Sequence, residues 1–259
     1  MDSVKAGWGF EVQRFRIIPQ KKIPEMFNVP GMLKPGSIWS NEHQQLWIPS
    51  SRLITGPNVI IDLAQEELFK RWSAIQGSIR IIEDIAVGDG LTDPTDSDTI
   101  LTNELESKAI DSWDDSLITP DSSGLSTRKA QVTWLSLEAN GTLSELGLKF
   151  DNADLVTHAL FKKLGISNIT QANPAVVTTT QSAHGLSTGD EIHIISVVGM
   201  TEVNDLTFTI TVVDADEFSL DGIDSTAFGA YISGGDAFLV ITKTVADVVQ
   251  TNYVLTFLN

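Results

Sequence analysis

A chain of 259 residues with 42% apolar side chains can bury one large or two modest cores, which excludes disorder throughout. It contains no cysteine, which removes disulfides, zinc thiolate sites and cysteine nucleophiles together, and no apolar run reaches the length of a membrane helix. The net charge of −17 is uneven, with residues 1–82 at +3 and the remainder at −20, so neither nucleic acid nor a membrane is an expected partner.

Residues 1–56 combine Pro19, Pro24, Pro30, Pro35 and Pro49 with isolated large apolar side chains. Proline at this density breaks helices and is confined to strand edges, so an extended arm is expected. Such an arm has no periodic element to bury Trp8, Phe10, Phe15, Phe27, Trp39 and Trp47, which makes them the candidate partner-binding residues. On this reading the first 50 residues are the assembly contact and are dispensable for folding. The scattered Arg14, Arg16, Lys21 and Lys22 read as a solvated face.

A helix is predicted after Asn58, which suits an N-cap. Ile61, Ala64, Leu68, Trp72 and Ile75 form one apolar stripe, and Gly77 stops it. Beyond it the period changes. Segments 79–88, 129–138, 144–150, 154–162 and 254–258 read as strands, rich in branched and aromatic residues between Gly, Asp, Asn and Pro. The strand around Trp134 shows no clean alternation, which predicts burial on both faces. The expected fold is mainly β: an antiparallel sandwich with one packed helix, spanning 57–164 and 237–259.

Between those pieces, residues 165–236 hold 10 Asp and Glu and neither Lys nor Arg. Short alternating strands separated by HGLSTGD, GMTEVND, DADE and DSTAFG predict a small inserted all-β, barrel-like domain.

The stretch AVGDGLTDPTDSDTILTNEL, Ala86 to Leu105, places a Gly-rich turn after a strand, then a polar loop, then an Asn-Glu pair. It resembles the N-terminal attachment domains of tail fibres and related virion proteins of tailed bacteriophages. LEANGTLSELGLKFDNADLVTHALF, Leu137 to Phe161, resembles the later "REXGL" and "LXARAXF" strands of that family, and Ile241 to Asn259 its closing strand. About 75 residues separate strands that the family joins directly. The intervening "AHGLSTGDEI" and "GMTEVNDLTFTITVVDADEFSLDGID" resemble the FCCH module of ubiquitin-activating enzymes, which recurs as an add-on and by itself implies no ubiquitin chemistry.

Chemical alternatives are thin. Asp89, Asp93, Asp96 and Asp98 have close spacing but lack the glutamate of a calcium loop, and read as caps of their own turns. His43, His158, His184 and His193 form no metal motif and read as structural. Gly88-Asp89-Gly90 is not followed by the lysine and helix of a phosphate loop, and the neighbours Asp114 and Asp115 point to opposite sides of a strand. No catalytic residue, cofactor or metal is expected.

The resemblance implies a non-enzymatic virion protein: a tail, baseplate or collar adaptor or fibre-attachment subunit, made in the bacterial cytoplasm and homo-oligomeric in the particle. A capsid decoration protein or head fibre is the alternative within the virion. A glycan-binding module using Phe208, Phe218, Phe228 and Tyr231 is an alternative of another class.

Overall fold

The computed structural model describes residues 7–18, 38–40, 45–49, 54–57, 59–60, 80–114 and 125–258, with backbone only at 7–10, 16–18, 38–40, 45–49, 54–57, 59–60, 125–127 and 256–258. The chain divides into two compact units, residues 1–160 with 243–259, and residues 161–242. The sequence boundaries at 165 and 236 cut through two strands, Lys163–Ile169 and Ser233–Lys243, which pair with each other.

In the first unit the strands are β1 (Gly7–Ile18), β2 (Ile38–Ser40), β3 (Gln45–Pro49), β4 (Ile54–Pro57), β5 (Val59–Ile60), β6 (Ile82–Gly88), β7 (Glu104–Ala109), β8 (Ser112–Asp114), β9 (Leu125–Trp134), β10 (Gly141–Leu143), β11 (Glu145–Phe150) and β12 (Leu155–Leu160). The second unit holds β13 (Lys163–Ile169), β14 (Val176–Thr179), β15 (Glu191–Val198), β16 (Leu206–Val212), β17 (Glu217–Leu220) and β18 (Ser233–Lys243), after which β19 (Asp247–Leu258) returns to the first. Among the described residues there is no α-helix. The helix expected after Asn58 falls almost wholly outside them. Its first residues, Val59 and Ile60, are instead a short strand facing His158 and Thr157, where branched side chains suit a sheet edge.

One sheet runs β2-β3-β1-β19-β9-β8, with β4 also on β1. Here the arm expectation fails: β1 is an interior strand, paired with β19 from Gly7↔Thr256 to Arg16↔Asp247. A proline-rich segment still supplies this strand because Gly7 to Ile18 itself contains no proline. Val12 and Phe15 are buried, and Phe15 packs with Val248 and Leu135.

β9 alternates after all. Ala130, Val132 and Trp134 point inward with no exposed surface, and Lys129, Gln131 and Thr133 are half-exposed. Trp134 obscured this because it is followed by Leu135 beyond the strand end. Its indole Nε1 donates to Thr251 Oγ1 at 3.1 Å. On the outer face, Gln131 donates to Asn252 at 3.0 Å and Lys129 pairs with Glu11 at 2.5 Å, which ties β9, β19 and β1 together by their side chains.

The other sheet is β5-β12-β11-β6-β7. β11 is buried along its whole length and β12 along all but its last residue, so both faces are covered. The buried Tyr253 of β19 lies near Thr157 of β12, and burial pushes its phenol pKa upward. Its hydroxyl makes no well-formed hydrogen bond. Tyr253→Phe should therefore change unfolding free energy by no more than about 1 kcal/mol, toward greater stability, because only an unsatisfied group is removed. A loss of several kcal/mol in urea denaturation would show that the hydroxyl is bonded.

The second unit closes on itself. The order β13-β14-β17-β16-β15-β18 is completed by β18 on β13, with Gly165 opposite Asp236, giving a six-stranded antiparallel barrel without a free edge. Ile192, Ile194, Phe208, Ile210, Phe218 and Leu220 fill it from alternate positions. Residues 230–232 are loop: the Tyr231 hydroxyl turns back to the carbonyls of Ile166 and Gly234, 3.0 Å from each.

Candidate functional site

Most of the candidate partner-binding aromatics prove to be placed in the first sheet. Trp8 and Phe10 stand in β1 opposite Leu255 and Tyr253, Trp39 is in β2 opposite Leu46, and Trp47 is in β3 opposite Ile38. Their side chains, and all of Phe27, lie outside the described residues. Phe15 already has its burial partner inside its own unit, which removes it as an exposed contact.

The residues that do converge are those of the Gly-rich stretch. Glu145 sits at the start of β11 with no exposed surface, and its carboxylate is ringed by donors. Oε1 accepts from the backbone N–H of Asn103 at 2.8 Å and of Gly90 at 3.1 Å. Oε2 accepts from the N–H of Thr102 at 3.2 Å and faces His158 Nε2 at 2.8 Å. The loop from Asp89 to Asn103 is thereby gripped at both ends by one side chain that enters from a different strand.

The glycines explain themselves at this point. A Cβ at Gly90 would run into the Glu145 carboxylate and Thr102, and one at Gly88 into the Asn103 carbonyl and the same carboxylate. The loop resembles a phosphate loop in one physical respect, since backbone N–H groups from its two ends, Gly90 on one side and Thr102 and Asn103 on the other, cradle an anion, but the anion is the protein's own Glu145. Ser144 adds two bonds, its N–H to the Gly88 carbonyl at 2.9 Å and its hydroxyl to the Gly90 carbonyl at 2.8 Å.

His158 extends the grip to the middle of the loop. Its Nδ1 lies 2.6 Å from Asp98 Oδ2, so the ring bridges two carboxylates and is 1% exposed. Asp98 in turn accepts from the N–H and hydroxyl of Thr95, at 2.9 and 2.6 Å, which is the turn cap its sequence position suggested. Burial opposes the imidazolium, but bonds to and charges of Glu145 and Asp98 outweigh it and raise the His158 pKa. Burial likewise opposes ionisation of Glu145, and is outweighed by His158 and the Asn103 and Thr102 N–H groups, so its pKa falls. Asp98 falls for the corresponding reasons, with Thr95 and His158 as the donors. Below the raised His158 pKa and above the lowered carboxylate ones, the cluster holds a cation between two anions.

Both ring nitrogens of His158 and both oxygens of Glu145 are engaged, so this arrangement fastens; it offers no free lone pair for proton transfer. Among the described residues no group of three or more His, Asp or Glu is arranged to hold a metal ion. Asp89 is bonded instead to Asn103 Nδ2 at 2.5 Å. His184 accepts from the Leu186 N–H at 2.9 Å and packs edge-on against Phe218, and His193 faces Thr207 at 3.0 Å. Phe218 and Phe208 lie in the barrel core, where no glycan ring can stack on them.

Fold and site together define a mainly-β chain with a clamped loop in one unit and a closed barrel as the other. Residues 172–240, within the barrel unit, match the ubiquitin-activating enzyme E1 FCCH domain family. Among curated proteins, ubiquitin-like modifier-activating enzyme 6 of Mus musculus is 36% identical over 116 residues, 43% of this chain and 11% of that protein. The Homo sapiens counterpart is 37% identical over 120 residues, 44% of this chain and again 11% of the relative. The similarity thus spans a small part of these much longer proteins.

Proposed function

We propose that the chain is a non-enzymatic structural component of a tailed-phage virion, a tail, baseplate or collar adaptor or fibre-attachment protein, homo-oligomeric in the particle. One observation carries the reading. The residues of the attachment-domain resemblance, dispersed over some seventy positions, fall into one constellation: Gly88, Gly90 and Asn103 around Glu145, and Glu145 on His158. In the "LXARAXF" pattern the arginine falls at His158, so Glu145 keeps a cationic partner. The similarity to the modifier-activating enzymes is confined to 11% of their length and supports a shared module.

The docking element on this reading is the clamped loop. A loop held by a buried ion pair and three backbone donors loses little entropy when a partner binds. It displays Ile100, 69% exposed, directly beside Leu101, whose side chain is buried and locks the neighbouring backbone in place. Ile100→Asp should leave stability within about 0.5 kcal/mol, as at other exposed sites. It should also reduce incorporation into particles at least about tenfold, the effect of one lost apolar contact and one buried charge. Complementation of a deletion phage, with the protein quantified in purified particles, reads this directly. Normal incorporation of a folded Ile100→Asp protein would remove the loop from the attachment face.

A further inference from the structure

A second surface, independent of the clamp and of the virion reading, lies at one end of the barrel. All the strands alternate in direction, so the connections β13–β14, β15–β16 and β17–β18 emerge together at the end opposite the unit's two chain ends. Side chains and backbone cross-link these three loops. The Ser225 hydroxyl, fully buried, donates to the Thr170 carbonyl at 2.7 Å, and Gln171 Nε2 donates to the Phe228 carbonyl at 2.6 Å. The Gly229 N–H reaches Glu202 Oε1 at 2.9 Å, and the Ile232 N–H reaches the Val198 carbonyl at 2.9 Å. The result is one fixed platform, assembled before any ligand arrives.

That platform leaves apolar side chains in water. Ile232 is 71% exposed, Val198 beside it 50%, and Leu206, at the start of β16, 48%. The same connections carry the exposed carboxylates Glu202, Asp205 and Asp224, and residues 165–236 contain no Lys or Arg at all. Ile232 and Val198 are neighbours, the Ile232 N–H reaching the Val198 carbonyl, so they expose one aliphatic pair and not scattered single residues. An all-acidic rim repels phosphate, whether of nucleic acid or of an anionic membrane, and attracts basic groups. With no free sheet edge, a partner cannot add a strand and must bind through side chains.

We infer that the Val198–Ile232 end of the barrel is a preorganised docking surface for a basic protein segment, in which Lys or Arg flank an aliphatic side chain. The apolar residues supply the contact area, and the carboxylates select the sign of charge and speed the encounter.

The test titrates the full-length chain, labelled for amide NMR, with the amidated peptide Lys-Leu-Arg-Ile-Lys. Shifts should be confined to 198–206 and 223–233, and Ile232→Ser should weaken binding about tenfold, as loss of a buried branched side chain implies. The peptide Glu-Leu-Glu-Ile-Glu should not bind, and Lys-Ser-Arg-Ser-Lys should bind no better than the Ile232→Ser protein binds the parent. Val198→Thr, a second substitution at an exposed position, should weaken binding in the same direction. Shifts spread equally to the acidic 213–217 turn at the other end, or unchanged affinity in both variants, would overturn the inference.

Discussion

Deletion of residues 1–50 is expected to abolish folding of the unit formed by 1–160 and 243–259. β1 would go with the deletion, and with it ten facing pairs on β19 and the buried side chains Val12 and Phe15. Each of those side chains contributes about 1.5–3 kcal/mol by burial, and the exposed ladder of β19 adds to the loss. The total is on the order of the whole stability of a domain, ~5–15 kcal/mol. The barrel closes without any strand from this segment, so one unfolding transition should survive and protease should leave a fragment near 161–242. Calorimetry and limited proteolysis check both halves of this result. Two cooperative transitions in the truncated protein would mean that the segment is an appendage, as its proline content suggests.

Glu145→Ala should be the most damaging single substitution. It strands the His158 imidazolium in a buried site and leaves the N–H groups of Gly90, Thr102 and Asn103 without their acceptor. Breaking a buried pair by removing one partner costs about 3–5 kcal/mol. Glu145→Gln keeps the shape but turns an NH2 group toward donors, and should fall between the unsubstituted protein and Glu145→Ala. His158→Arg should retain most of the stability, since a cation still faces the carboxylate. Amide exchange at Gly90, Thr102 and Asn103 should accelerate in the first two variants before global unfolding.

The clamp also fixes a pH window. His158 has a raised pKa in the fold, so its contribution is complete below its unfolded value near 6.5 and is lost as pH rises through the folded one. Glu145 and Asp98 have depressed values, so theirs is complete above the unfolded 4.5 and 3.8 and is lost as pH falls through the folded ones. The clamp should contribute most between about pH 4.5 and 6.5. His158→Arg should flatten the alkaline limb only. An unchanged alkaline limb in that variant would show that another group governs it.

The middle of the barrel was legible because its information is local. Alternation in DEIHIISV and TFTITVV and the turn clusters between them mark β15 and β16, which pair with each other, whereas β13 and β18 close the barrel by pairing across some seventy residues and carry no such local signal. The place of β1 was not legible, since Phe10 meets Tyr253 across nearly the whole chain and nothing in the first fifty residues announces that partner. The clamp depends on register. His158 stands opposite Gly147 on β12, which puts it diagonal to Glu145 on the same face of the β11–β12 pair. Its signals were a single glutamate in SELGL and a single histidine in LVTHAL, each isolated among residues that become buried. Two lone ionisable groups in adjacent apolar strands, unequal in charge, identify such a pair once a hairpin is assumed.

The most direct test of the virion assignment is to locate the protein. Tailed particles produced by a strain carrying this gene, banded and probed with antibodies raised against residues 161–242, should carry the protein at one position. Quantitative mass spectrometry should give a copy number that is a multiple of three, the ring or trimer symmetry that surrounds a tail. Absence from banded particles, with the protein recovered only from the soluble lysate, would contradict the account.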